Sequence, residues 1–214
     1  MLKIAITNQK GGVGKTTSTL NIGAAMARKG LRVLMVDMDG QQNLTRIYGL
    51  RESEQNVMTF LERSDLSFPG VEVATNLYLM PGSPYMHGFD ETARKIAVDT
   101  PGLVLKYRME QFELADNFDV ILFDCPPKLD QNTLNVLVYC EWVFVPVHPD
   151  SFSMDGLQAT TELVESLRKR SNPQLKLGGI FLIKYNARTI LHRQMREALV
   201  NGYGDKVLEY FTRE

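Results

Sequence analysis

The chain has 214 residues, a length typical of one large domain or two small ones. Hydrophobic residues make up 44% and charged residues 23%, which excludes a disordered or collagen-like chain. The formal net charge is -1, so a uniformly basic coat for nucleic acid is excluded as well.

Six short apolar runs rich in β-branched residues recur along the chain, separated by stretches long enough for helices. This alternation predicts an α/β fold in which a mostly parallel, twisted sheet carries helices on both faces. The predicted strands are Leu2–Thr7, Arg32–Asp37, Leu77–Met80, Val120–Asp124, Trp142–Val147 and Gly179–Ile183. The predicted helices are Thr16–Lys29, Asn132–Tyr139 and Met154–Lys169. Residues 49–75 and 84–117 are less periodic, and we expect short helices and loops there within a single domain, 1–214.

A glycine-rich segment, KGGVGKTT at residues 10–17, joins the first predicted strand to the first predicted helix. It fits the phosphate-binding pattern G-x-x-x-x-G-K-[ST], with Gln9 or Lys10 standing where the first glycine usually lies. Its glycines allow backbone N–H groups to point at phosphate oxygens, and the helix N-terminus adds its positive dipole end. Lys15 is predicted to reach the outer phosphates and the Thr16 hydroxyl to bind Mg²⁺. The predicted nucleotide-binding residues are Gly11, Gly12, Val13, Gly14, Lys15, Thr16 and Thr17.

The same segment opens with a second lysine, Lys10, at a point where the chain turns away from its own phosphate site. A lysine there reaches a nucleotide on a facing subunit more easily than its own. KGGVGKTT resembles the deviant Walker A signature of the ParA/MinD family of ATPases, in which the first lysine crosses a dimer interface to the partner's nucleotide. The resemblance implies a P-loop NTPase fold, ATP and Mg²⁺ as ligands, and an ATP-dependent homodimer in which Lys10 and Lys15 both assist catalysis.

Two further segments support this resemblance. Residues 33–45, VLMVDMDGQQNLT, are similar to the family's second strand and the switch that follows it, and residues 120–127, VILFDCPP, are similar to its Walker B strand. Shorter similarities at residues 76–81, 143–147 and 185–189 indicate the ParA branch, and the last of them implies a nucleotide contact for Asn186. Together these similarities extend over about residues 2–200.

Three carboxylates follow or end predicted parallel strands, where the ligand crevice of such a sheet opens. Asp124 ends an apolar strand and is suited to hold Mg²⁺ directly or through water. The resemblance implies that Asp39 orients or activates the attacking water and that Asp37 supports Mg²⁺ and the switch. If the strand continues beyond Asp37, the two carboxylates face the same side, although either could be a solvated loop residue. Gly40 stands where the family usually has proline. The sequence therefore does not determine how rigid this switch segment is.

Other polar residues carry a weaker signal. The resemblance puts Lys128 and Pro149–Asp150 near the nucleotide or the dimer interface, but a solvated loop is equally consistent with the sequence. Three histidines lack the spacing of a metal site: His87, His148 and His192.

The cysteines and the hydropathy pattern indicate the compartment. Cys125 and Cys140 are too few for a disulfide framework and lack CxxC spacing, so we expect buried thiols in a reducing cytoplasm. No apolar run approaches the roughly 20 residues of a membrane span. We therefore expect a soluble, cytoplasmic protein that makes no membrane contact, and the resemblance implies that it associates with the nucleoid.

A basic stretch lies in the C-terminal part of the chain, where residues 160–200 carry eight basic and three acidic side chains. Such an excess is typical of a surface that binds nucleic-acid phosphates, although a solvated helical face is equally consistent with composition alone. The resemblance favours DNA, because ParA ATPases bind DNA without sequence preference through basic residues in this region. The candidate DNA-binding residues are Lys184, Arg188, Arg193 and Arg196.

These features predict a ParA-type ATPase whose ATP-bound sandwich dimer binds nonspecific double-stranded DNA. Hydrolysis, stimulated by a ParB-like or other adaptor protein, would release the dimer and position a plasmid, a chromosome or another cargo. A protein-cargo positioning ATPase is one alternative. A MinD-like membrane-cycling ATPase is another, but it needs a basic amphipathic C-terminal helix, and residues 205–214 have three acidic and two basic side chains.

Two enzyme classes of the same superfamily are further alternatives. A nitrogenase-type iron protein needs two cluster-binding cysteines per subunit, in a pattern that Cys125 and Cys140 do not match. A metabolic ligase, which uses ATP to activate a carboxylate, generally lacks the first lysine of the phosphate-binding segment.

Overall fold

The computed structural model describes residues 1–63, 68, 70–112, 114–150, 153–209 and 212. Within these ranges, strands assemble into one sheet in the order β3-β4-β2-β5-β1-β6-β7. The strands are β1 (Leu2–Ile6), β2 (Val33–Asp37), β3 (Val71–Ala74), β4 (Leu77–Met80), β5 (Val120–Asp124), β6 (Trp142–Val147) and β7 (Lys176–Leu182). Every neighbouring pair is parallel except β3 and β4, which are antiparallel. The predicted, mostly parallel sheet is confirmed.

Helices cover both faces of this sheet, as predicted. They are α1 (Lys15–Arg28), α2 (Asn43–Ile47), α3 (Val57–Glu62), α4 (Phe89–Ile96), α5 (Val104–Glu110), α6 (Leu114–Asn117), α7 (Gln131–Tyr139), α8 (Ser153–Arg170) and α9 (Ile190–Tyr203). One apolar cluster joins α1 and α2 to one face, and a larger cluster joins α3, α4, α5, α7 and α8 to the other. β2 and β5 are buried along their whole length, because helices lie over both of their faces.

The sequence analysis did not predict β3, α9 or the short helix α2. β3 is a short edge strand, Val71–Ala74, in a region where we expected helices and loops, and three of its four residues are exposed. α9 runs from Ile190 to Tyr203, and although Leu199 is its only buried residue, Leu191, Met195 and Leu199 recur at helical spacing, a pattern that the sequence analysis did not use.

The chain returns along the outer side of β7 after α9. Leu208 N–H donates to the Ile180 carbonyl at 2.8 Å, and Thr212 N–H donates to the Leu182 carbonyl at 3.1 Å. This parallel pairing covers part of the sheet edge beside β7. No helix in the described part of the chain is long and apolar enough to cross a membrane. Tyr210 and Phe211, which belong to the segment considered for membrane binding, lie outside the described residues.

The strand order fixes the position of the site. β1 lies between β5 and β6, and Asp124 at the end of β5 is aligned with Ile6 of β1 and Asp37 of β2. The loops that follow β1, β2 and β5 therefore open on the same edge of the sheet, the edge at which parallel sheets bind ligands.

Candidate nucleotide-binding site

The loop between β1 and α1 has the backbone geometry of a phosphate cradle. Gly12 and Gly14 have φ of 73° and 72°, in the left-handed region that favours glycine. A Cβ atom built on Gly11 or Gly12 would meet nothing within 4 Å, whereas one on Gly14 would lie 3.0 Å from Ile183 Cδ1. Gly14 therefore packs tightly against Ile183, the residue that follows β7, while Gly11 and Gly12 border open space at the N-terminus of α1, where N–H groups have no intrahelical partner.

Lys15 extends across this loop. Its side chain is buried, and its Nζ donates to the Lys10 carbonyl at 2.9 Å. Burial lowers the pKa of Lys15 below its ordinary value, while the nearby Asp124 and Asp39 raise it and so oppose the shift. The ammonium thus lies between the loop backbone and the two carboxylates, a position suited to a bound polyphosphate.

Asp124 is a fully buried carboxylate at the end of β5. Among the described residues, neither of its oxygens has a hydrogen-bond partner of good geometry. Burial, followed by the charge of Asp37, holds the pKa of Asp124 well above its ordinary value, and Thr16 and Lys15 oppose the shift. A buried carboxylate without a partner is costly. Asp124 and the neighbouring Thr16 hydroxyl therefore fit a hard cation such as Mg²⁺, which prefers one or two protein oxygens together with substrate phosphates.

Asp37 has a different environment, because protein donors occupy both of its oxygens. Thr45 donates from its N–H and its hydroxyl to Oδ2 at 2.9 and 2.7 Å, and Asp39 N–H donates to Oδ1 at 3.1 Å. Burial raises the pKa of Asp37 to about 6 although these hydrogen bonds oppose the shift. Asp37 therefore anchors the loop that follows β2, and its support of Mg²⁺ stays a prediction.

Asp39 reaches the site from a loop. β2 ends at Asp37, so the condition under which both carboxylates would face the same side, a strand that continues beyond Asp37, is not met. Instead, Asp39 Oδ1 accepts the Gln41 N–H at 3.0 Å, and the Asp39 carbonyl accepts the Gln42 N–H at 2.9 Å. This compact turn brings Asp39 into the wall of the cleft that Lys15 and Thr16 also line.

That cleft has a volume of about 1080 Å³ and is polar at one end and apolar at the other. Six of the predicted nucleotide-binding residues line its polar end: Gly11, Gly12, Gly14, Lys15, Thr16 and Thr17. Val13 is instead buried in the protein, and Asn186 is not among the residues that line the cleft. The apolar end follows the sheet beside α1 and is lined by Ile4, Ile22, Met26, Phe144, Phe181 and Leu208.

Lys10 points away from this cleft. Its ammonium forms an ion pair with the carboxylate of Asp150, which follows β6. The Lys10 N–H donates to Asn8 Oδ1 at 2.9 Å, and Asn8 Nδ2 donates to the Pro146 carbonyl at 2.9 Å. Asp150, which the sequence left between a site residue and a solvated loop, thus contacts the phosphate-binding segment, whereas the side chain of Lys128 is exposed.

The candidate DNA-binding residues do not form one group. Lys184 lines the nucleotide cleft, while Arg188 and Arg193 lie together at the start of α9, where Arg193 Nη1 donates to the Ala187 carbonyl at 3.3 Å. Arg188 and Arg193 are exposed, and Arg196 is half-buried. Arg188 and Arg193 therefore form the more accessible part of the predicted basic surface.

Some residues that shape the site escaped the sequence analysis. Thr45 and Gly82 hold Asp37 in place, Gly156 of α8 packs against Asn8, and Ile183 packs against Gly14. Except for the contact between Asp37 and Thr45, which are eight residues apart, these contacts join positions far apart in the chain, so local spacing gives no signal for them. The sequence offered one weak signal for these contacts, namely the glycines at positions 82 and 156.

Comparison with known proteins supports this description. A family model described as an AAA domain matches residues 1–177. The chromosome-partitioning ATPase Soj from Thermus thermophilus is 36% identical over 205 residues, covering 96% of this chain and 78% of that protein. An uncharacterised protein from Mycobacterium tuberculosis is 35% identical over 212 residues, covering 96% of this chain. The chain spans only 65% of that mycobacterial relative.

Solved structures show the same fold. A cobyrinic acid a,c-diamide synthase from Mycobacterium smegmatis, with bound ADP and magnesium, is 30% identical with a TM-score of 0.85, covering 95% of this chain and 83% of its own. A plasmid partition protein from Borrelia burgdorferi, bound to AMPPNP, is 25% identical with a TM-score of 0.84, covering 100% of this chain and 86% of its own. Both resemble the present chain along nearly its whole length.

Proposed function

The chain belongs to the ParA/MinD family of ATPases, and we propose that it binds ATP with Mg²⁺ and hydrolyses the bond to the γ-phosphate. The main observation in support of this proposal is the environment of Asp124. This carboxylate is buried beside Lys15 and Thr16, and the described part of the chain offers its oxygens no well-formed hydrogen bond. A metal–phosphate ligand would satisfy both the carboxylate and the buried ammonium.

Hydrolysis in such a site depends mainly on positioning and on neutralising charge. Lys15 and the loop N–H groups would hold the phosphates, and Asp39 would orient the attacking water from the wall of the cleft. Thr16 and Asp124 would hold Mg²⁺, with Asp37 acting through the loop that it anchors. When bound, Mg²⁺ neutralises negative charge on the phosphate oxygens.

We also propose that ATP closes a homodimer in which Lys10 contacts the nucleotide of the other subunit. The direction of Lys10 supports this role, because its ammonium lies at Asp150 rather than over its own loop. The dimer would bind double-stranded DNA without sequence preference through Arg188 and Arg193, with Lys184 and Arg196 at the margins. A single chain offers half of these phosphate contacts, so affinity should rise steeply on dimerisation.

The biological role that we propose is the positioning of a DNA or protein cargo on the nucleoid, with an adaptor protein that stimulates hydrolysis. The relatives support partition as the general class, since one is a chromosome-partitioning ATPase and one a plasmid partition protein. A membrane-cycling role would require the chain to sediment with anionic vesicles in the presence of ATP, which we do not expect.

A second candidate function is suggested by the mycobacterial synthase structure, at 30% identity. A ligase of that kind would use ATP to activate a carboxylate on a small molecule. The two functions differ in what ATP hydrolysis requires. A partition ATPase hydrolyses ATP without any small-molecule acceptor. ATP turnover by the purified chain with DNA and Mg²⁺ alone would support the partition ATPase, and turnover that requires a carboxylate acceptor would support the ligase.

The central experiment is equilibrium binding of a fluorescent ATP analogue in Mg²⁺. Lys15→Ala should weaken binding by about ten- to a hundredfold, because a charge-assisted hydrogen bond is lost. Lys29→Ala is the matched control, since Lys29 is an exposed lysine that caps the other end of α1. Unchanged affinity in Lys15→Ala would contradict the proposed phosphate site.

A further inference from the structure

The loop after β2 has an outer wall formed by residues 82–87. Gly82 packs against Asp37, where a Cβ atom on Gly82 would lie 2.9 Å from Asp37 Cγ. Gly82 N–H donates to the Thr45 hydroxyl at 2.7 Å, and Gln42 Nε2 donates to the Gly82 carbonyl at 2.9 Å. These contacts join the wall to both ends of the loop that carries Asp39.

The middle of that loop is contacted by His87 of the wall. A Cβ atom built on Gly40 would lie 2.7 Å from His87 Nε2, 2.8 Å from Cε1 and 2.9 Å from Cδ2. The imidazole ring therefore occupies the space in which a side chain at position 40 would lie. Gly40 directly follows Asp39, so the ring packs on the backbone that determines the direction of the Asp39 carboxylate.

The turn that carries His87, residues 84–88, is itself fixed at two points. Ser83 caps its start by accepting the Tyr85 N–H at 3.3 Å. Asn132 Nδ2, in the first turn of α7, donates to the Met86 carbonyl at 3.0 Å, and the Met86 side chain is fully buried. Because α7 follows the loop that leaves Asp124, this turn connects the surroundings of Asp39 with those of Asp124.

We propose that His87 is a positioning residue for Asp39. Its ring restrains Gly40, keeps the Asp39 carboxylate at the wall of the cleft, and ties the loop after β2 to the first turn of α7. The inference rests on the proposed ATPase function. In this proposal His87 neither contacts the nucleotide nor transfers a proton. Another flat aromatic side chain at position 87 should therefore be enough to position Asp39.

The first test compares His87→Ala with His87→Phe and uses Tyr85→Ala as the control, because Tyr85 lies in the same turn and is 75% exposed. His87→Ala should lower kcat by roughly tenfold with little change in KM, as expected when a catalytic group is slightly misplaced. His87→Phe should keep most of the activity, since it keeps the packing. Loss of activity in His87→Phe equal to that in His87→Ala would overturn the packing role.

A second readout does not depend on catalysis. In the nucleotide-free protein, the N–H groups of Gln41 and Gln42 are bonded to Asp39, so hydrogen–deuterium exchange of a peptide over residues 38–45 reports the order of this loop. His87→Ala should accelerate this exchange, and Tyr85→Ala should not. Unchanged exchange in His87→Ala would overturn the inference. A wild-type chain without ATPase activity would instead overturn the proposed function, while the exchange comparison would still decide whether His87 holds the loop.

A double-mutant cycle tests the contact itself. Gly40→Ala places a methyl group where the ring lies, so it should displace the ring and reproduce the kcat and exchange effects of His87→Ala. The double variant Gly40→Ala/His87→Ala should then be no more impaired than either single variant, because both remove the same restraint. Effects that simply add would show that the two residues act independently and would overturn the proposal.

Discussion

The ammonium of Lys10 is paired with the carboxylate of Asp150, a residue 140 positions further along the same chain. Their side chains are 27% and 33% exposed, so the ion pair lies at the surface next to the nucleotide cleft. A lysine that contacts a partner's nucleotide must leave such a carboxylate. In the proposed dimer, Lys10 would therefore have to exchange Asp150 for the partner's nucleotide.

The first prediction concerns Lys10→Ala. This variant should bind ATP with nearly unchanged affinity, because the Lys10 side chain is directed away from its own cleft, but it should remain a monomer in ATP. Light scattering after size exclusion, with ATP and with ADP, measures the mass directly. Lys3→Ala is a suitable control. Lys3, near the start of β1, forms an ion pair with Glu141, the residue before β6, at the edge of the sheet opposite to the phosphate loop. Normal dimerisation of Lys10→Ala would show that the trans contact is wrong.

The second prediction concerns Asp39→Ala. The carboxylate lines the cleft without contributing to the phosphate cradle, so ATP binding and dimerisation should survive while hydrolysis is lost. The trapped dimer should persist in ATP for much longer than the wild-type dimer. Steady-state phosphate release and dimer lifetime together test this expectation. Activity above a small fraction of the wild-type value would assign the orientation of water to another group.

The fold and the phosphate loop were predictable from sequence because both depend on local patterns. Buried parallel strands such as β2 and β5 produce short continuous apolar runs, and the loop needs glycine at Gly12 and Gly14 for its left-handed backbone. The position of Asp124 at a strand end follows from the same reasoning. These features require no knowledge of which segments meet in space.

The remaining features depend on contacts that local patterns do not encode. Asp37 and Asp39 are only two residues apart, yet one is enclosed by Thr45 and the other faces the cleft, because β2 ends between them. The contact of His87 with Gly40 joins two separate loops, and Lys10 pairs with Asp150 between the segments that follow the neighbouring strands β1 and β6. Helix α9 is an exception, because Leu191, Met195 and Leu199 recur at helical spacing and this local pattern was available in the sequence.

The third prediction concerns stability and pH at the ends of β2 and β5 that lie away from the site. Asp119 accepts the Arg32 N–H at 2.8 Å and the Arg32 guanidinium at 2.9 Å. These hydrogen bonds lower the pKa of Asp119 to about 2, below an unfolded value of about 3.9. The pair therefore stabilises the fold fully above about pH 5 and loses this effect as the pH falls toward 2.

Asp119→Asn should accordingly lower the free energy of unfolding at pH 7, and the difference from wild type should shrink at pH 4 and below. Urea unfolding at several pH values measures both quantities. Asp99→Asn is the control, because Asp99 is an exposed aspartate outside this pair. A difference that is constant with pH would show that the charge of Asp119 does not contribute to stability.

The last prediction separates dimerisation from DNA binding. Arg188 and Arg193 are exposed, lie beside each other at the start of α9, and are not among the residues that line the nucleotide cleft. Replacing either by Glu should leave the ATP-dependent dimer intact and weaken DNA binding. The slope of log affinity against log salt should also become smaller, because each lost phosphate contact removes about one released counterion. Mobility assays across salt concentrations, with Arg51→Glu as the exposed control on another surface, measure both effects. If charge reversal at both arginines leaves DNA binding untouched, the basic stretch is a solvated face, and a protein scaffold or a membrane becomes the better candidate for the surface that this ATPase moves on.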